Sequence, residues 1–314
     1  MRKLIGLVLA AALLAGCGES APEDPQRMTL ALDFVPNAAH SGIYGAIASG
    51  AAREKGIDLR VRTPTASTDS LKLLLTGRAD LAVLDIHDLG LAHQRGEEVK
   101  GVAALVQRPL GAVIARAAVR TPRDLEGERV GVTGLPSDEA VLRAVVQGGG
   151  GDPKKVDRVT IGFSAVQSLV AKRVAGATAF WNVEGVTLRE RGVPTREFRV
   201  EDFGAPSYPE LVIVARPGVI ERRRAAVEDT LAAIEEGLAF TRERPGPVVA
   251  AISKAGGGRE PAVEAQLAAI RPALSPPLTL DRERLRAWAA WDVRFGILER
   301  PLDVDAAFDF DLAP

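Results

Sequence analysis

From Met28 to about Ala215, short apolar runs alternate with stretches in which apolar residues recur every three or four positions. Apolar runs bounded by Gly, Pro, Asn or Asp predict strands, and the three-to-four spacing predicts helices. Strands are expected at 28–34, 58–62, 81–84, 99–107 and 111–117. Helices are expected between them at 42–55, 67–76 and 85–94. Near Thr121-Pro122-Arg123-Asp124-Leu125-Glu126-Gly127 the same grammar restarts, with strands at 129–133, 156–161, 178–181 and 195–199. The helices of this second block are expected from Ser137 to about Gln147, then at 164–174 and 183–191. Leu211 to Ala215, five apolar residues, reads as a strand that rejoins the first block. Strand and helix in alternation predict an α/β protein with mostly parallel sheets covered on both faces. The order predicts two lobes: residues 28–117 with 211–314, and an inserted lobe at 118–210. Two lobes joined by crossing strands can close on a solute by hinge bending.

The last hundred residues carry only the helical period. Val227, Leu231, Ile234 and Leu238 form one apolar stripe, ended before Pro245. Further helices are expected at 247–254, 260–271 and 281–295, and Trp288, Trp291 and Phe295 share a face suited to the core.

The first residues change the expected compartment. Arg2 and Lys3 precede an apolar run, Leu4 to Leu14, that is too short to span a bilayer as a mature helix. Leu14-Ala15-Gly16-Cys17 then resembles a bacterial lipobox, so cleavage after residue 16 and lipidation of Cys17 are expected, with 17–27 as a polar tether. Two or three acyl chains hold a protein firmly on a membrane. The expected location is the extracytoplasmic side of a bacterial membrane, periplasmic or at the cell surface. Cys17 is the only Cys, which leaves no disulfide or cysteine-based metal site within one chain. Lys plus Arg number 40 against 41 Asp plus Glu, without a long basic block, which argues against a nucleic-acid partner.

The candidate chemistry centres on Leu32-Asp33-Phe34-Val35-Pro36-Asn37-Ala38-Ala39-His40-Ser41-Gly42-Ile43-Tyr44, a strand-to-helix loop. Open α/β sheets bind small ligands at that edge. The stretch resembles the signature Leu-Asp-Trp-x-Pro-Asn-x-x-His-x-Gly-x-Tyr of the thiamine-pyrimidine-precursor binding proteins, periplasmic relatives of yeast thiamine-pyrimidine synthase. Phe34 stands where that signature has Trp. Gly77-Arg78-Ala79-Asp80-Leu81, Gly134-Leu135-Pro136-Ser137-Asp138-Glu139, Trp181-Asn182-Val183-Glu184-Gly185 and Ser207-Tyr208-Pro209-Glu210-Leu211 are similar to further segments of these proteins. The resemblance spans about residues 28 to 300.

It implies a type II periplasmic-binding-protein fold with a cleft between the lobes, and a substrate-binding lipoprotein, monomeric, that serves an ABC permease. Glu184 is then expected to take a two-point hydrogen bond from an aminopyrimidine edge. Phe34, Tyr44, Trp181 and Tyr208 are expected to stack on the ring. Asn37, His40 and Asn182 are candidate hydrogen-bonding partners, and Gly134, Ser137 and Asp138 stand where backbone N–H groups at a helix start meet a polar group. Each has a plainer reading: Asp33 as a turn cap, His40 and Glu184 as helix-start residues, Trp181 as core. Asp80, Asp85, His87 and Asp88 form an acidic cluster with a His, read as turn and helix-start residues rather than metal ligands. No cofactor, metal or catalytic residue is expected. The yeast relatives consume an active-site His and need a Cys-rich segment, which a chain with one lipidated Cys lacks. Flavin precursors, alkanesulfonates or nitrate are alternative solutes, and a sensory lipoprotein is an alternative role. The motif holds no Lys or Arg to neutralise an anion.

Overall fold

The structure is a computed structural model that describes residues 25–313; the leader, Cys17 and most of the tether lie outside the described residues. The strands are β1 (Gln26–Ala31), β2 (Ile57–Arg62), β3 (Leu81–Asp85), β4 (Lys100–Val106), β5 (Gly111–Arg116), β6 (Arg129–Val132), β7 (Asp157–Thr160), β8 (Gly176–Phe180), β9 (Thr195–Arg199) and β10 (Leu211–Ala215). They form two five-stranded sheets, ordered β2-β1-β3-β10-β4 and β7-β6-β8-β5-β9. In the first, β1 runs parallel to β2 and β3, while β10 is antiparallel to β3 and β4. In the second, β6 runs parallel to β7 and β8, while β5 is antiparallel to β8 and β9.

Composition follows position in the sheet. The wholly buried β10 (Leu-Val-Ile-Val-Ala) is apolar throughout, whereas the edge strands β2 and β7 carry exposed Arg and Asp. The opposite edge, β4, is buried because Phe308 and Leu278 bridge to it at Gly101 and Ala104. Gly101 has no Cβ for a physical reason: one there would lie 2.4 Å from the Phe308 ring.

One boundary differs from the expectation. The pattern expects the strand at 111–117 in the first lobe, but β5 lies in the second sheet, so the outward crossing occupies residues 107–110. An apolar run marks a strand without naming its partner, and here β8 and β9 supply the pairing. The return crossing leads from Tyr208 to β10. On it, the buried Glu210 carboxylate accepts from the backbone N–H groups of Leu110 (2.5 Å) and Gly111 (3.2 Å). One side chain thus ties both crossing segments together.

The helix expected at 42–55 is broken at Gly50, which adopts a φ of 90°, into Ser41–Ser49 and Ala51–Glu54. Its first half packs on the long helix Pro217–Glu243 with backbones touching: a Cβ on Gly45 would sit 2.2 Å from the Gly237 carbonyl oxygen. This close contact fixes the loop before Ser41. Trp288, Trp291 and Phe295 are buried as expected.

Candidate functional site

The cleft lies between the carboxyl ends of the two sheets. The first lobe contributes Asp33 and Phe34 after β1, Ser67 and Ser70, and Leu84, Asp85 and Asp88 where β3 passes into the helix Ile86–Gln94. The second contributes Thr133 and Leu135 after β6, Ser137 and Asp138 on the helix Pro136–Gly148, Gly162 and Phe163 after β7, and Thr178, Phe180 and Glu184 around the end of β8. The enclosed volume is about 90 Å³. Phe34 and Phe163 meet edge to face across it, ring centroids 4.4 Å apart. Ser137 Oγ donates to Asp88 (3.2 Å) and Ser67 Oγ to the Thr133 carbonyl (3.4 Å), so the lobes are closed on one another.

The loop after β1 is built by its own side chains. Asn37 caps a short 3-10 turn by accepting from Ala39 N, and its own N–H donates to His40 Nδ1 at 3.2 Å. With Nδ1 as acceptor, the neutral ring carries its proton on Nε2, which donates to Asp33 Oδ1 at 2.8 Å. His40 is fully buried and positions Asp33, which faces the cleft.

Five carboxylates line the cavity, Asp33, Asp85, Asp88, Asp138 and Glu184, and among its lining residues there is no Lys, Arg or His. Their hydrogen bonds distinguish them. Asp138 is saturated: Oδ2 accepts from Thr133 N (2.6 Å), Thr133 Oγ1 (2.5 Å) and Gly134 N (3.1 Å), and Oδ1 from Thr178 Oγ1 (2.8 Å). Glu184 Oε2 accepts from Phe180 N at 3.1 Å. Burial pushes Glu184 up to about 7, its backbone N–H bonds opposing and Asp33 and Asp138 adding to the rise. Burial likewise raises Asp88 to about 7, with His87 opposing and Asp138 reinforcing.

Beneath the floor the same helix start carries a second cluster. His87 Nδ1 lies 2.9 Å from Asp292 Oδ2 and Nε2 lies 3.2 Å from the Tyr208 hydroxyl. The Trp288 indole N–H, 3.0 Å from the same Nδ1, also bonds Asp292. Burial opposes a charged His87, but the carboxylates of Asp292, Asp85 and Glu210 outweigh it and raise its pKa to about 10. Asp85 is raised well above the usual carboxylate range by burial, and it shares a hydrogen bond with Glu210. Atoms of Asp85, His87 and Glu210 gather within 4.8 Å, a spacing a metal ion fits. Both ring nitrogens of His87 already have protein partners, and an imidazolium is no ligand.

Residues 37–247 match the sequence pattern of the family described as NMT1/THI5 like. The chain is also 32% identical over 249 residues to a formylaminopyrimidine-binding protein of Halalkalibacterium halodurans, covering 77% of this chain and 76% of that one. The chain belongs to the NMT1/THI5-like family. It is 27% identical over 251 residues to a riboflavin-binding protein of Chloroflexus aurantiacus, covering 73% of this chain and 69% of the other. Among solved structures, an alkanesulfonate-binding protein of Xanthomonas axonopodis pv. citri bound to MOPS superposes with a TM-score of 0.74 at 16% identity, covering 91% of this chain and 99% of that one. That likeness concerns the fold alone: two lobes, each a mixed sheet flanked by helices, as in periplasmic binding proteins.

In this family member, four of the site residues expected from sequence line the cavity: Phe34, Ser137, Asp138 and Glu184. The others lie outside the lining. Asn37 and His40 build the loop behind Asp33. Tyr44 is buried on the helix that follows, its hydroxyl pKa pushed up to about 12 by burial. Gly134, at a φ of 97°, gives its N–H to Asp138 rather than to the cavity. Trp181 belongs to the hinge: its indole donates to the Pro109 carbonyl (3.1 Å), and Arg199 stacks over its ring at 4.2 Å. Tyr208 holds His87 under the floor. Asn182 is fully buried with neither amide atom hydrogen-bonded to protein. Sequence reasoning missed Phe163, Thr178 and Phe180, and set Asp85 and Asp88 aside as helix-start acids. The Gly162-Phe163-Ser164 turn after a strand was the available signal for Phe163.

Proposed function

We propose that this protein is an extracytoplasmic solute-binding component of an ABC importer that takes a small aminopyrimidine of the thiamine-precursor type, such as the hydroxymethyl or formylaminomethyl compound. One observation carries the reading: the cleft is lined by five carboxylates and two facing aromatic rings, with no cationic side chain. An aminopyrimidine edge offers an exocyclic amine and a ring nitrogen, which suit Glu184. Its flat face suits Phe34 and Phe163 once they part. The relative from Halalkalibacterium halodurans, a formylaminopyrimidine-binding protein by name, supports the same solute class. A sulfonate or nitrate, by contrast, would enter a pocket that repels it. The protein acts as a binding protein and not an enzyme, works as a monomer held on the membrane through lipidated Cys17, and passes its solute to a permease that contacts the lobe tips.

The test is thermal unfolding against hydroxymethylpyrimidine, its formylaminomethyl analogue, thiamine, riboflavin, taurine and nitrate. A ligand that binds only the folded state raises the midpoint by mass action. An aminopyrimidine shift that Glu184→Ala abolishes is the expected outcome. A shift with taurine or nitrate alone overturns the reading.

A further inference from the structure

A second concave site, on the first lobe, has the opposite charge. A pocket of about 170 Å³ lies where the start of the helix Ser41–Ser49, the end of the helix Pro217–Glu243 and the 3-10 turn Arg271–Leu274 meet. Three buried leucines, Leu238, Leu267 and Leu274, give it an apolar wall. Two further lining residues, Arg242 and Arg271, are exposed, and the lining holds no Asp or Glu. Among the described residues neither arginine belongs to an ion pair.

One polar group in this wall is left over. Ser41 is fully buried, and its Oγ has no hydrogen-bond partner. The neighbouring hydroxyl is already engaged: Thr241 Oγ1 donates to the Gly237 carbonyl (2.6 Å) and lies 3.2 Å from the Ser41 carbonyl. A buried hydroxyl without a partner is costly. Ser41 is also the first residue of a helix whose start has no side-chain cap, and such an end favours an oxygen anion. The free hydroxyl, the helix start and the two guanidinium groups all call for the same kind of head group.

We propose that this pocket is a second ligand site, for a small organic anion: a carboxylate or phosphate held by Ser41 and the two arginines, with a short apolar tail against the leucines. The cleft, lined by carboxylates, repels such an anion, so the two sites do not compete. Ser41 follows His40, whose Nε2 holds Asp33 at the cleft, so the pocket backs onto the loop that shapes the solute site. The assignment is independent of which solute the cleft takes.

Calorimetric titration of the full chain tests it with hexanoate and hexyl phosphate, against hexanol, hexylamine and acetate. One of the two hexyl anions is expected to bind about tenfold or more tightly than each of the other three, and the tighter of the pair identifies the head group. The double variant Arg242→Ala, Arg271→Ala and, separately, Ser41→Ala are each expected to weaken that binding about tenfold. Both arginines are exposed, so the unfolding midpoint of the double variant without ligand stays near that of the wild type, which separates loss of the site from loss of the fold. Glu184→Gln, in the cleft, is expected to leave the anion's affinity unchanged. No binding of either hexyl anion at about 10 mM overturns the proposal. Equal binding of hexanol overturns it too, as does an affinity that survives the arginine and serine substitutions.

Discussion

Two groups of carboxylates sit within one turn of helix from each other and are treated in opposite ways. Around His87, Asp292 and the Asp85–Glu210 pair have a cation among them, and Glu210 also takes two backbone N–H groups. In the cleft, Asp88 is bonded by Ser137 and feels the charge of neighbouring His87, Glu184 accepts from the Phe180 backbone N–H, and the lining itself holds no cation. The split arises from helix geometry: Asp85, His87 and Asp88 leave the start of one helix in different directions, toward scaffold or toward cavity. The first group bonds hinge and floor together, whereas the second faces the cavity. The type of residue does not separate the two settings; the direction each carboxylate faces does.

The comparison breaks first on the scaffold side. Asp292→Asn leaves His87 without its closest counter-charge in a fully buried setting, and removing one partner of a buried pair costs about 3–5 kcal/mol. Chemical denaturation is expected to show a loss of that size, and a loss below about 1 kcal/mol would make this cluster no different from a surface pair. Glu184→Gln is expected to do the reverse. Calorimetry should show aminopyrimidine affinity weakened by about 1.5–3 kcal/mol, the scale of a hydrogen bond to a charged group, while the unfolding midpoint of the empty protein stays nearly unchanged. Phe163→Ala removes one stacking face and should cost binding about 1 kcal/mol. Phe34→Trp, measured on the same titration, should match or improve the wild type.

The smallest effect is a pH dependence. Glu184 and Asp88, both raised to about 7, keep their protons in the folded chain where an unfolded carboxylate has already lost its own. The folded form therefore binds more protons, and stability falls as pH rises through this window. Between pH 4.5 and 5.5, below the range in which an unfolded His titrates, Glu184→Gln should flatten this decline by about 1 kcal/mol. Equal slopes in thermal scans of the two proteins would show that Glu184 is already ionised there.

Most of the strands were legible as short apolar runs ended by a turn former, β2, β7 and β9 only as shorter alternations of apolar and polar residues, and Leu211–Ala215 stood out as an unbroken apolar run. The partner of Gly111–Arg116 was not, since periodicity carries no information about which neighbour completes the ladder. The site was legible in part. The loop at 32–44 was located from residue types, but Asn37 and His40 serve it from behind, through Asp33. Trp181 and Tyr208 were expected to stack on a ring, and each instead spends its polar atom on the hinge or the floor. A sequence names the donors and acceptors available; only the fold shows which are already used.

The contact between Phe34 and Phe163 also sets a tempo. In the closed form the two rings touch edge to face, so under the stacking role proposed for them a solute enters only molecules whose lobes have parted. Apparent affinity is then the intrinsic affinity scaled by the open fraction. With opening slower than encounter, the observed association rate levels off at high solute concentration, and the plateau is the opening rate of the hinge that Glu210 holds.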